Sequence, residues 1–180
     1  IRNQFNLVGN TVSNGTTAGA EGGGATGGGS AGADSATVQA AIVKDAKDWT
    51  LDEQKAVAED IAAKGEASPA YSKAKAAMDA GTKFSMKLTD GKTLQYRIIG
   101  INHDDLADGS GKAGLTFETV SCAFGEQRMN STDKTSGGWE KSEIRERLNS
   151  SDLWSLLPAE LQSKVKAVTK MTDNRRDDMM

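Results

Sequence analysis

Thr82-Lys83-Phe84-Ser85-Met86-Lys87-Leu88-Thr89-Asp90-Gly91-Lys92-Thr93-Leu94-Gln95-Tyr96-Arg97-Ile98-Ile99-Gly100-Ile101 is the stretch on which the fold turns. Phe84, Met86 and Leu88 alternate with Lys83, Ser85 and Lys87, and Leu94, Tyr96 and Ile98 alternate with Gln95 and Arg97. That is the period of two half-buried strands. A two-residue Asp-Gly turn would pair Met86 with Gln95 and Leu88 with Thr93, sending the two apolar faces to opposite sides of the ribbon. A three-residue loop, Thr89 to Gly91 with Gly91 in the left-handed region, pairs Met86 with Leu94 and Phe84 with Tyr96, so both strands bury one face. The pattern predicts that hairpin. Ile99 and Ile101 break the alternation, which predicts a second strand running into a sheet covered on both faces.

Downstream, strands are expected at Leu115–Val120 and Ala123–Met129, a helix over Glu140–Leu148, and short helical pieces at Asp152–Leu156 and Pro158–Ser163. A last strand is expected at Val165–Met171. Upstream the period is helical. Val38, Ala41, Ile42 and Trp49 mark a first stripe; Thr50-Leu51-Asp52-Glu53 is a capping box opening a helix that ends at Gly65. Ser68-Pro69 opens a third helix, closing at Gly81. Their apolar faces are thin and rich in alanine, which suits a small helical collar packed on the next domain, with a partner-binding bundle as the alternative. The expected class is α+β: helices with a mixed, mainly antiparallel sheet.

The N-terminal third reads differently. Residues 1–13 place Ile1, Phe5, Val8 and Val12 at helical spacing, and are expected to be the end of an anchoring or polymerising helix that began upstream of Ile1. Residues 14–35 are Gly, Ala, Ser and Thr with few charges; ten of the chain's 20 glycines fall between Gly9 and Gly32. Such a composition cannot bury enough apolar area to offset the entropy of ordering, and predicts a flexible linker. The expected organisation is therefore helix end 1–13, linker 14–35, helical region 36–81, α/β domain 82–173 and a disordered end 174–180.

At 180 residues the chain has room for one domain of ordinary size. A net charge of −3 offers no basic field for nucleic acid, which is not an expected partner. No run of about 18 apolar residues spans a membrane, so contact with a membrane or pilus filament would fall to a part upstream of Ile1. The single cysteine, Cys122, lies in the apolar run Val120-Ser121-Cys122-Ala123-Phe124 with no histidine beside it, the setting of a buried filler.

The most distinctive motif is Trp139-Glu140-Lys141-Ser142-Glu143-Ile144-Arg145-Glu146-Arg147-Leu148-Asn149. Trp139, Ser142 and Arg145 recur every third residue, bringing aromatic, hydroxyl and guanidinium groups toward one helix face. With Leu153-Trp154-Ser155-Leu156-Leu157-Pro158 after it and Ile98-Ile99-Gly100-Ile101-Asn102-His103-Asp104-Asp105-Leu106 before it, this motif resembles an uncharacterised domain of unknown function. That family is found in exported and surface proteins of Gram-positive and actinobacterial gut organisms. The likeness runs from about Thr82 to Met171. It implies a mixed α/β domain and surface display, and no enzyme activity. Residues 1–13 also resemble the end of the helix of a tight-adherence, type IV-like pilin, which implies a homopolymer. Family members continue into a further strand-rich stretch, so the chain is expected to be a fragment.

Two readings stand for Trp139, Ser142, Arg145 and Asn149. In one, Trp139 fills the core, Ser142 or Arg145 bonds loop carbonyls, and Asn149 caps the helix in the left-handed conformation. In the other, they form a ligand-binding surface for a carboxylate or a sugar.

His103-Asp104-Asp105-Leu106-Ala107-Asp108-Gly109-Ser110-Gly111 gathers three carboxylates. Asp104, Asp105 and Asp108 could supply oxygen ligands to calcium, yet the alternate spacing and distal Glu of an EF-hand are missing. A turn in which the Asp side chains bond their own backbone is the plainer reading. Gly109-Ser110-Gly111-Lys112 lacks the spacing of a phosphate loop, and one histidine supports no nucleophile constellation. No cofactor is expected. The function expected is a non-catalytic bacterial cell-surface or pilus-associated displayed protein serving adhesion or ligand binding, with its host or glycan ligand left open. A secreted carbohydrate-binding module or enzyme domain, and a phage fibre component, are the alternatives.

Overall fold

A computed structural model describes residues 4–7, 35–120, 124–132 and 137–170. Helix α1 spans Ala36–Ile42, opened by Ser35, whose Oγ accepts from the Val38 amide at 3.1 Å. After a single 3-10 turn at Ala46–Asp48 comes α2, Leu51–Lys64. Its capping box forms as the sequence predicts: Thr50 Oγ1 accepts from the Glu53 amide, and the Glu53 carboxylate accepts from the Thr50 amide at 2.8 Å. Gly65, at φ +60°, ends it. Helix α3, Tyr71–Asp79, starts two residues later than expected. Ser68 Oγ takes the Ala70 amide and donates to Asp60, so Ser68–Ala70 is a turn tied to α2 before the helix begins.

Five antiparallel strands make the sheet: β1 Gln4–Leu7, β2 Phe84–Lys87, β3 Thr93–Ile101, β4 Leu115–Thr119 and β5 Val165–Lys166, in the spatial order β2-β3-β4-β1-β5. The hairpin is the one that burial demands. Phe84 pairs with Tyr96 and Met86 with Leu94, and Gly91 sits at φ +84°. Phe84, Tyr96 and Phe117 form an aromatic cluster with centroids 5.5 to 5.7 Å apart, and Trp49 reaches Phe84 at 6.2 Å. Each such pair adds about 0.5–1.5 kcal/mol beyond burial.

The polar tips of this cluster are satisfied in a chain that runs from sheet to helices. Tyr96 Oη donates to Gln54 Oε1 at 3.0 Å, Gln54 Nε2 to the Trp49 carbonyl, and Trp49 Nε1 to the Ala41 carbonyl at 2.8 Å. Burial pushes the Tyr96 phenol up to about 12. Val38, Val57 and Ile61 share one core with Phe84, Leu94, Ile98 and Leu115. The helices are a collar on the sheet, and the fold is α+β.

Four expectations are corrected. Gln4–Leu7, taken as helical, is a strand between β4 and β5, with Phe5 in register with Phe117 and Leu7 with Leu115. Gln4-Phe5-Asn6-Leu7 also alternates with period two, and a short helical stripe is marginal alone whereas a strand flanked on both sides fills its backbone hydrogen bonds. The break in alternation is a β-bulge at Ile99, and cover on both faces is confined to the end at Gly100 and Thr116, both buried beneath the β3–β4 loop. Ile98 pairs with Phe117 and Ile101 with Leu115, so the extra residue returns Ile101 to the core face while Gly100 and Thr116 share the other. Along its middle that other face is polar: Ser85 and Gln95 are exposed, and Arg97 bonds Glu118 at 3.3 Å.

Third, residues 124–129 are irregular rather than a strand. Fourth, β5 stops at Lys166. The next backbone groups leave the sheet for the β3–β4 loop: the Ala107 amide donates to the Ala167 carbonyl and the Thr169 amide to the Asp105 carbonyl. Residues 1–3 and 8–13 of the expected helix end, the expected linker apart from Ser35, Cys122 and the end at 174–180 lie outside the described residues.

Candidate functional site

Two regions carry the candidate residues. The first is the β3–β4 loop. It begins at Asn102, the one described non-glycine residue at positive φ (+48°), whose Nδ2 donates to the Ile61 carbonyl at 3.0 Å and pins the loop to α2. Asp104 then turns inward and is 4% exposed. Its Oδ2 accepts from Thr116 Oγ1 at 2.8 Å, and its Oδ1 faces His103 Nδ1 at 2.9 Å and accepts from Lys170 Nζ. Burial alone would raise this carboxyl, but the Lys170 ammonium and the Thr116 and His103 hydrogen bonds together hold it below the ordinary carboxylate range.

Asp105 and Asp108 go elsewhere. Asp105 is exposed and pairs with Lys112 at 2.9 Å. Asp108 Oδ1 accepts from the Ser110 amide at 3.0 Å and from its hydroxyl, bonds that lower the Asp108 pKa, with Lys166 at 3.7 Å. Each carboxylate has its own cation. Among the described residues no three His, Cys, Asp or Glu side chains come together as metal ligands, so the structure does not gather Asp104, Asp105 and Asp108 into a calcium site. Asp108 and Ser110 form the self-bonded turn instead.

The second region surrounds α4, Glu143–Ser150. Ser142, 3% exposed, is its cap: Ser142 Oγ accepts from the Arg145 amide at 3.3 Å and donates to the Trp139 carbonyl at 2.8 Å. One hydroxyl thereby ties the Trp139 turn to the first turn of the helix. The remaining amides there are also taken, Glu143 by Asn130 Oδ1 and Ile144 by the Met129 carbonyl, so this helix start has no amide left for an anion. The Glu143 carboxylate accepts from Ser131, fastening α4 to residues 129–131.

Trp139 is half-buried and stands outside the main core, not within it as one reading had it. Asn149 does not take the left-handed cap either. It lies inside α4 and its Nδ2 donates back to the Arg145 carbonyl at 2.6 Å, one turn earlier on the same face. Arg145 is exposed, and its guanidinium makes no hydrogen bond or ion pair with any described residue.

Arg147 does what sequence reasoning did not foresee. It grips Asp152 through Nε at 2.9 Å and Nη2 at 2.7 Å, and reaches Gln127 through Nη1. The fork holds α4 against α5, Asp152–Ser155, after which α6 spans Ala159–Gln162. A basic and an acidic residue five apart across a helix break give no periodic signal. Lys170 and Thr116 were missed for a related reason: Lys170 lies 66 residues from Asp104, and Thr116 is an ordinary strand residue whose alternation with Leu115 and Phe117 faces it away from the core, where the loop brings Asp104 to it.

No protein-family model, curated protein or solved structure matches this chain.

Proposed function

We propose that the chain is a non-catalytic binding protein displayed on a bacterial surface, and that it contacts its ligand through Arg145 and Trp139. The observation that carries this reading is the contrast between the two arginines of α4. Arg147 is consumed by Asp152 and Gln127, while Arg145 stands exposed without a described partner, on a helix turn that Ser142 ties to Trp139. A guanidinium fork without a described partner suits the carboxylate of an acidic sugar or another small acid, and the half-buried Trp139 ring offers an apolar face to the rest of such a ligand. The glycine-rich composition of residues 14–35 and the resemblance to surface-protein domains support display; they leave the ligand to Arg145 and Trp139.

A thermal-shift screen with neutral sugars, acidic sugars and small carboxylic acids tests this on the intact chain and on Arg145→Ala. A ligand at a hundred times its dissociation constant adds about 2.7 kcal/mol. The expected result is stabilisation by acidic probes that Arg145→Ala removes. Stabilisation that survives in Arg145→Ala, or none with any probe, overturns it.

A further inference from the structure

The place of β1 in the sheet carries a second inference, independent of the ligand. Strands β4 and β5 do not pair with each other; each pairs with β1, which lies between them. Gln4–Leu7 thus fills a slot one strand wide, bounded on one side by Leu115–Glu118 and on the other by Val165–Lys166. If that slot is empty, the β4 edge loses its backbone partners at the border of a core that holds Leu115 and Phe117. It has to be filled by an extended segment of matching register.

The covalent route to the slot is unusually long. Between Leu7 and Ser35 stand 27 residues, ten of them glycine. Connections within a domain commonly take about 2–6 residues. Fully extended, a segment of this length spans about 90 Å, and glycine-rich chains of this length have a typical reach of about 30 Å, comparable with the width of the whole domain. That is more than placing β1 on its own sheet needs, and enough to place it on a neighbour's. Lengthening a connection costs only about 0.6 kcal/mol per doubling, and once one strand has been exchanged the reciprocal exchange is intramolecular, so a two-strand exchange needs only one bimolecular step.

We propose that β1 is an exchangeable strand, and that the slot between β4 and β5 takes Gln4–Leu7 of a second copy of this chain. The donated segment makes the same ladder, Gln4 opposite Glu118 and Leu7 opposite both Leu115 and Val165, so the link needs no new surface. Reciprocal exchange gives a two-fold dimer that presents two Arg145 faces.

The test traps the donor in place. In a Cys122→Ser background, one protein carries Gln4→Cys and another Glu118→Cys; the two are mixed, unfolded, refolded together and oxidised, with Lys87→Cys on the far edge strand replacing Glu118→Cys as the control. Exchange predicts a covalent dimer between the Gln4→Cys and Glu118→Cys chains and none with Lys87→Cys. The doubly substituted chain yielding only an internal disulfide, with no dimer from the mixed pair, overturns the proposal. Sedimentation of the unaltered chain makes the test independent of whether the variants fold: dimers that grow in across a hundredfold range of concentration are expected, and a monomer throughout overturns it.

Discussion

Gly114→Ala tests the packing of the helical collar on the sheet. Gly114 is buried just before β4, where its backbone passes under α2 so closely that a Cβ would lie 1.8 Å from the Ala58 carbonyl oxygen and 2.6 Å from its carbon. Non-bonded heavy atoms settle at about 3.5 Å, so helix and strand must part by more than about 1.5 Å. Both partners are backbone and cannot rotate out of the way. Overpacking costs about 1–3 kcal/mol in general, and this contact belongs at the top of that range or above it. At about 2–4 °C per kcal/mol for a domain of this size, the melting temperature should fall by roughly 6–12 °C. Gly91→Ala is the comparison: its Cβ meets nothing within 4 Å, and the cost is confined to φ +84°, about 1–2 kcal/mol. Thermal unfolding followed by circular dichroism should rank Gly114→Ala well below Gly91→Ala. A Gly114→Ala melt within about 1 °C of the unaltered chain would refute the close approach of α2 to β4.

Asp104→Ala should destabilise by about 3 kcal/mol, because it leaves Thr116 and Lys170 without their buried acceptor; chemical denaturation measures it. The folded Asp104 carboxyl is held below its ordinary value, so its contribution is full above the unfolded pKa of about 3.9 and is lost as pH falls through the folded value. Asp104→Asn should therefore flatten the acid limb of stability against pH, and an unchanged limb would show that the carboxylate is not so held. Tyr96→Phe should cost about 1–2 kcal/mol by leaving Gln54 Oε1 without its donor, and should remove the phenol that ionises near 12 in an ultraviolet titration. Arg145→Ala should leave the melting temperature unchanged while Arg147→Ala lowers it, since only Arg147 is tied to Asp152 and Gln127.

What could be read from the residues was local. The Thr89–Gly91 loop followed from one condition, that Phe84, Met86, Leu94 and Tyr96 bury together, and Thr50 with Glu53 announced α2 because a cap is written within four residues. What could not be read was non-local. Gln4-Phe5-Asn6-Leu7 fits a helical stripe and an alternating strand equally over so few positions, and its state is decided by the open edges of β4 and β5, more than a hundred residues away. The bulge at Ile99 is not legible in the residues, because a bulge and a sheet covered on both faces put isoleucines at Ile99 and Ile101 alike. At the candidate site, the helix around Trp139 and Arg145 was legible, but which arginine stays free depended on Asp152, beyond the end of α4.

Backbone amide hydrogen exchange at residues 4–7 tests the architecture most directly. With β1 hydrogen-bonded on both sides, the Phe5 to Leu7 amides should include protected positions comparable with Leu115–Thr119, and Hα resonances of Phe5 and Phe117 should show strand shifts. Amides at 4–7 that exchange as fast as an unfolded peptide, or that carry helical shifts, would contradict the five-stranded sheet and return the N-terminal segment to the helix that its spacing first suggested.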